Sequence, residues 1–299
     1  MLEHNTLVVA VGLGLLGANA GALGTFAIAR RRVLVVDAMG HAALPGVASA
    51  FLIAPWLGWP GRPLPLLLAG AALFAIAAQV AIEFLIARTK LASDAATGAV
   101  LASFFGLGLV LLGVIQRSGA AGGGIDRWIF GQAASLLRAD ALLFAGLALV
   151  SLLTLWLTFR ALLWTGFDPD QARTAGVSPE LAAALFGLQL GVVTLVALPS
   201  VGLLLALGFL VLPAAATRHL ARRFSTWILL ASLVGAAGAV TGALASRWID
   251  NLPTGPAIIA TLGAFAALGH LAAPRTGLIA NARARAQLKR RLLQAHKIR

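Results

Sequence analysis

Long apolar runs separated by short polar knots dominate this chain. Runs of about 18 residues or more, enough to cross a bilayer as a helix, cover roughly residues 7–29, 33–57, 64–87, 95–115, 141–163, 181–198, 200–217, 226–246 and 254–273. The pattern predicts an all-α, polytopic transmembrane bundle of about nine helices over residues 1–273, followed by a polar tail over 274–299. The two runs that nearly touch at Pro199 read either as a hairpin with a tight outer turn or as one long kinked helix.

The polar knots set an orientation. If the N-terminus lies outside, the inner segments hold Arg30, Arg31, Arg32, Arg88, Lys90, Arg160, Arg173, Arg218, Arg222, Arg223 and eight bases of the tail, 18 of the 23 Lys and Arg. The outer segments hold five: Arg62, Arg117, Arg127, Arg138 and Arg247. Because cytoplasmic loops carry the excess of bases, this predicts N-out and C-in.

Composition changes the picture only by exclusion. Hydrophobic residues make up 60% and charged residues 11%, with a mean hydropathy of +0.93, too apolar for a water-soluble fold to cover its own surface. There is no Cys, which removes disulfides and thiolate metal sites, and the two methionines, Met1 and Met39, make no thioether path. The N-terminal run has no basic region before it and is too long for a signal peptide, so it reads as a retained helix. The net charge of +13 does not point to nucleic acid. Its largest share lies in the acid-free tail from Pro274, where Leu288, Leu292 and Leu293 between the bases suggest a helix lying on anionic lipid.

Few motifs carry chemistry. Gly12-Leu-Gly-Leu-Leu-Gly17 has a dinucleotide-type spacing but sits inside an apolar run, and Gly17 and Gly21 give the G-x-x-x-G spacing of close helix packing. The sequence contains no P-loop, H-E-x-x-H or G-x-S-x-G. Acids within spans are costly, about 2.5–3.5 kcal/mol on lenient scales, and therefore informative. Asp37 and His41, at i and i+4 near the start of the second helix, share a face. Carboxylate plus imidazole suits Zn²⁺, Mn²⁺ or Fe²⁺, and Pro45-Gly46 could kink the helix and free carbonyls beside them. An interfacial Asp near Arg30–Arg32 with a hydrogen-bonded His is the competing reading. Glu83, within reach of Arg88, reads as a snorkelling or salt-bridged acid, and Ser93 or Asp94 as an N-cap. His270 reads as a hydrogen-bonded packing residue and His219 as part of the basic inner cluster. On the inner connection, Asp168 and Pro169 can start a short helix that Gly176 stops.

Several segments together resemble the membrane permease subunit of bacterial ABC transporters that import manganese, zinc or iron. Asp37-Ala-Met-Gly-His41-Ala-Ala-Leu-Pro45-Gly46 is similar to that family's D-A-L-S-H-A-x-L-P-G stretch, and Ser93-Asp94-Ala-Ala-Thr-Gly98 to its S-D-A-x-I-G. Phe130-Gly131-Gln resembles its L-F-G-S, Phe167–Gly176 its F-D-P-E-x-A-x-x-x-G loop, Pro213–Thr217 its P-A-A-x-A and Leu252–Pro256 its D-x-P-T-G-P. Gly40 stands where the family has Ser, which removes a hydroxyl beside the His; Met39 replaces a usual Leu and Thr97 a usual Ile.

The resemblance implies the type II, vitamin B12-like, importer permease architecture in the bacterial cytoplasmic membrane, with no enzyme site or cofactor of its own and a divalent metal ion as cargo. It implies Asp37 and His41 on the ion path, Phe130 and Gly131 at an outer gate, and Asp168, Pro169, Ala172 and Gly176 in a loop that docks an ATPase. The partners implied are a dimer of cytoplasmic ATP-binding subunits, a second permease chain, identical or not, and an extracytoplasmic metal-binding protein. A permease of the same architecture for a metal chelate is the alternative, and a membrane-embedded enzyme lacks a cluster of catalytic residues at one depth.

Overall fold

The computed structural model describes residues 2–59, 63–117, 138–249 and 252–273. The outer-gate candidates Phe130 and Gly131, and the basic tail from Pro274, lie outside the described residues. Within them the chain is helical, without a strand: α1 Leu2–Ala29, α2 Val33–Ile53, α3 Leu64–Arg88, α4 Ser93–Arg117, α5 Arg138–Phe167, α6 Pro169–Thr174, α7 Pro179–Val201, α8 Ala206–Thr217, α9 Phe224–Trp248 and α10 Thr254–Ala272. Eight of these are long and apolar enough to cross a membrane; α6 and α8 are not. Where a ninth span was expected, at residues 200–217, there is a short apolar helix below spanning length. The break falls at Gly202 rather than Pro199, because α7 runs through Pro199 and stops where Gly202 takes φ +97°, a region only glycine enters without strain. A 3₁₀ turn, Leu203–Leu205, then starts the 12-residue α8.

Helix directions follow from which ends meet. One cavity is lined by Arg30 at the end of α1, Arg32 before α2, Glu83 near the end of α3, Thr165 near the end of α5 and Pro179 at the start of α7. Phe26 of α1 meets Phe224 of α9 edge to face, with ring centroids 4.9 Å apart, which brings the start of α9 to the same end. That end carries Arg30–Arg32, Arg88, Lys90, Arg173, Arg218, Arg222 and Arg223, and so faces the cytoplasm. With that assignment the first helix enters from outside and the last descends inward. Although short, α8 also points inward: Gly208 faces Ile259 and Ala216 meets Gly269, so it runs alongside the inward-going α10.

Close packing in lipid needs small residues, because apolar side chains gain nothing by leaving lipid for one another. A side-chain carbon at Gly17 would sit 2.3 Å from the Gly235 carbonyl oxygen, and one at Gly21 2.2 Å from that of Ala231. The G-x-x-x-G of α1 is thus a backbone-to-backbone seam with α9. Gly46 and Gly70 make the same approach between α2 and α3, and Gly108 of α4 accommodates Leu44 and Pro45 of α2. α1 and α2 end up innermost, each 72% buried over its spanning window, against 22% for α4 and α5, whose free faces are left for lipid or partners.

Candidate functional site

The α2 helix starts at Val33, so its rise of about 1.5 Å per residue puts Asp37 roughly 6 Å and His41 roughly 12 Å in from the cytoplasmic end. The two meet on one face. His41 Nδ1 lies 2.9 Å from the Asp37 carbonyl oxygen and 3.3 Å from Asp37 Oδ1. Both neighbours are acceptors, so Nδ1 carries the hydrogen, and in the neutral ring Nε2 keeps the lone pair, the tautomer a metal ligand requires. The imidazole stands edge-on to Phe105 of α4, centroids 4.9 Å apart. The side chains of His41 and Asp37 remain 14% and 27% exposed within the single chain.

Pro45 does not break the helix: α2 continues to Ile53 with Pro45 inside it. Pro45 lacks an N–H, which leaves the His41 carbonyl without its usual donor four residues on. Gly46 serves the contact with α3 described above. Gly40, in the place of the family's Ser, has Thr194 of α7 3.5 Å from where its side chain would begin, and the Thr194 hydroxyl is buried without a hydrogen-bond partner. Among the described residues no three of His, Cys, Asp and Glu come together to hold a metal. The Asp37–His41 pair places one carboxylate and one imidazole on a single face of α2.

The inner loop takes the form its residues dictate. Asp168 Oδ1 accepts from the Gln171 N–H at 2.9 Å, and Pro169 occupies the first position of α6. Gly176 closes the helix with φ +79°. The Val177 N–H reaches the Ala172 carbonyl at 2.9 Å, and the Gly176 N–H that of Arg173 at 3.0 Å. This is the paired bonding of a left-handed helix stop. Arg173 then ties the loop to α7 through Glu180, at 2.8 Å, and to Asp170, at 3.1 Å, and these acids hold its guanidinium above its ordinary pKa. Ala172 is fully buried. Gln171, Thr174 and Ala175 are exposed, so they form the face a partner can touch.

Other residues find partners that spacing could not show. Glu83 pairs with Arg32, the residue just before α2, at 3.1 Å, and accepts from Gln79 at 3.2 Å. Arg88, the base expected beside it, lies over the Phe84 ring. Ser93 and Asp94 fall within the first turn of α4 rather than before it, where the Asp94 charge faces the helix dipole. His270 stacks edge-on with His219, 5.3 Å between centroids. In the Leu252–Pro256 stretch, Ser246 Oγ donates to the Leu252 carbonyl at 2.6 Å and lies 3.2 Å from Thr254 Oγ1, which fastens the outer turn between α9 and α10.

Arg30 is the residue the sequence pattern undersold. Taken from the sequence only as one of three inner bases, it is half-buried, donates to the Leu162 carbonyl and at 2.8 Å to Thr165 Oγ1, and lies over the Phe186 ring. Burial, and then the charge of Arg32, lowers its pKa from the ordinary arginine value. The only signal available beforehand was its place as the first base after an uninterrupted apolar run.

Residues 3–272 match the ABC 3 transport family. The chain is 35% identical over 292 residues to the manganese transport system membrane protein MntC of Bacillus subtilis, covering 97% of this chain and 66% of that protein. It is 34% identical over 272 residues to the zinc transport system membrane protein TroC of Treponema pallidum, covering 91% and 90%. PsaBC from Streptococcus pneumoniae, solved in complex with Fab, superposes with a TM-score of 0.75 at 30% identity over 91% of this chain and 92% of that one. An inward-facing ABC transporter of the metal-chelate type, 18% identical, shares the fold with a TM-score of 0.64 over 86% and 84%. Helices of spanning length, an ordered inner helix and these matches define an ABC permease. The chain belongs to the ABC 3 transport family, as a multi-pass subunit of the bacterial cell membrane.

Proposed function

We propose that this permease carries a divalent transition-metal ion, manganese, zinc or iron, into the cytoplasm along a path that includes Asp37 and His41. The observation that carries the proposal is the pair's geometry. One ring nitrogen of His41 is anchored on Asp37, the other is left as a ligand, and the carboxylate brings a negative charge to a depth where a metal ion has lost water. Two ligands do not close a coordination shell. A second permease chain, placing an equivalent pair across the path, supplies more, and the partly exposed side of the pair is open to it. Two cytoplasmic ATP-binding subunits dock on the α6 loops, and an extracytoplasmic metal-binding protein delivers the ion outside. ATP-driven rearrangement alternates access, and the ion leaves because each site holds it weakly. The relatives' names, manganese for one and zinc for the other, support the cargo class.

The test is uptake of isotopic Mn²⁺, Zn²⁺ and Fe²⁺ into proteoliposomes holding the permease with its ATPase and binding protein. Native protein takes up at least one ion with ATP, and Asp37→Asn and His41→Ala each abolish most of that uptake while complex assembly persists. Loss of assembly with normal transport per surviving complex would instead make the pair a folding element. Uptake of a chelate that free metal does not compete with would replace the ion by a metal complex as cargo.

A further inference from the structure

We propose that Arg30 is a positioning residue that passes movement of the α6 loop to the start of α2, and so to Asp37 and His41; the inference rests on the permease reading above. A rigid link has to be attached at both ends. At one end the Arg30 guanidinium donates to the Leu162 carbonyl and to Thr165 Oγ1 in the last turns of α5, two residues before Phe167, where α5 gives way to Asp168 and α6. Gly166 makes this approach possible. A side-chain carbon there would lie 3.1 Å from Arg30 Nε, tighter than side-chain contacts ordinarily allow. The Phe186 ring of α7 lies 5.1 Å from the guanidinium carbon, so the same group touches the helices on both sides of the α6 loop.

At the other end the chain allows almost no slack. Arg30 and Val33, the first residue of α2, are separated only by Arg31 and Arg32. Arg31 is held at φ +55°, the one positive φ at a non-glycine residue in the described chain. Arg32 is fastened to Glu83 of α3. A displacement of the α5 end that drags Arg30 must therefore turn this short connection, and α2 begins within it. Room for the movement exists. Arg30, Arg32, Gln79, Glu83 and Thr165 line a cavity of about 280 Å³ at this end of the bundle. Among the described residues, no protein group hydrogen-bonds Arg30 Nε or Gln79 Oε1 there.

The experiment uses the full complex with its ATPase in proteoliposomes and reads ATP hydrolysed per ion taken up. Arg30→Gln should assemble and hydrolyse ATP but raise that ratio about tenfold, within the range of ordinary coupling energies. Arg30→Lys keeps the charge but is shorter and loses the planar guanidinium that lies over Phe186, and should recover assembly with only part of the coupling. Thr165→Val removes one acceptor without touching Arg30 and should raise the ratio by less; it keeps the test open should Arg30→Gln fold poorly. Since the chain has no cysteine, a spin label at Leu34→Cys, 46% exposed in the first turn of α2, can report the movement directly. Its ATP-dependent spectral change should appear in the native background and vanish with Arg30→Gln. An unchanged ratio in both Arg30→Gln and Thr165→Val, or an ATP response at Leu34 that survives Arg30→Gln, overturns the proposal. If native complex carries no metal yet the label responds to ATP through Arg30, the linkage stands and the cargo reading falls.

Discussion

The seam between α1 and α9 and the cytoplasmic end of the same α1 are built by opposite rules. Along the seam, Gly17 and Gly21 bring backbone against backbone with no polar side chain, leaving no space for a methyl group. A few turns on, the helix gives way to Arg30, whose long side chain lines a cavity and reaches α5. The first contact has one arrangement, since interlocked backbones either fit or separate. The second consists of hydrogen bonds, one ion pair and free volume, and such contacts can be exchanged for others of similar energy. A transporter needs both: spans that move as bodies, and ends where the movement is read.

The comparison orders the expected effects. The largest belongs to the seam. Gly21→Leu places a side chain where 2.2 Å is available to a backbone oxygen, and should remove most assembled permease from the membrane, measured as detergent-stable complex; overpacking of cores costs about 1–3 kcal/mol even where neighbours can yield. Normal yield would mean that the seam opens without harm. Next come Asp37→Asn and His41→Ala, which leave the seams untouched and should lower metal uptake by on the order of 10-fold or more at near-normal complex yield. Third is the partner face of α6. Thr174→Trp, on the exposed side, should weaken co-purification of the ATPase while the permease remains intact, whereas Ala172→Trp, at a fully buried position, should damage the permease itself. Equal behaviour of the two would remove α6 as a docking surface.

Most of the fold was legible because lipid imposes one simple rule, a spanning length of apolar residues, and the seam between α1 and α9 announced itself as the G-x-x-x-G of Gly17 and Gly21. The short α8 was not. Residues 200–217 have the hydropathy of a span, but the backbone at Gly202 decides where the helix begins, and composition does not encode that conformation. The Asp37–His41 pair and the capped helix at Pro169–Thr174 were legible because i, i+4 spacing and cap residues act locally. The partners of Glu83 and Arg30 were not, since Arg32 lies 51 residues from Glu83, and Thr165 lies 135 residues from Arg30. Such pairings follow only from how helix ends come together, and the nearest base in sequence, Arg88, proved the wrong partner.

The smallest expected effect separates shape from charge in α6. Asp168 has one structural task on view, accepting the Gln171 N–H at the start of a helix of six residues. Asn caps a helix about as well as Asp, while Ala leaves the N–H unpaired at a cost of about 1 kcal/mol. If the loop works by presenting a formed helix to the ATPase, Asp168→Asn should transport like native protein, and Asp168→Ala should lose a few-fold in coupled uptake, on the order of what 1 kcal/mol allows. If the carboxylate itself grips a base on the ATPase, the two substitutions should fail alike, and added salt should weaken native coupling, because an exposed ion pair is screened. Uptake per ATP for both variants at low and moderate ionic strength distinguishes the cases. The first outcome would place the α6 loop with the seam, as a contact working by fit; the second would place it with Arg30, as a contact working by exchangeable charge.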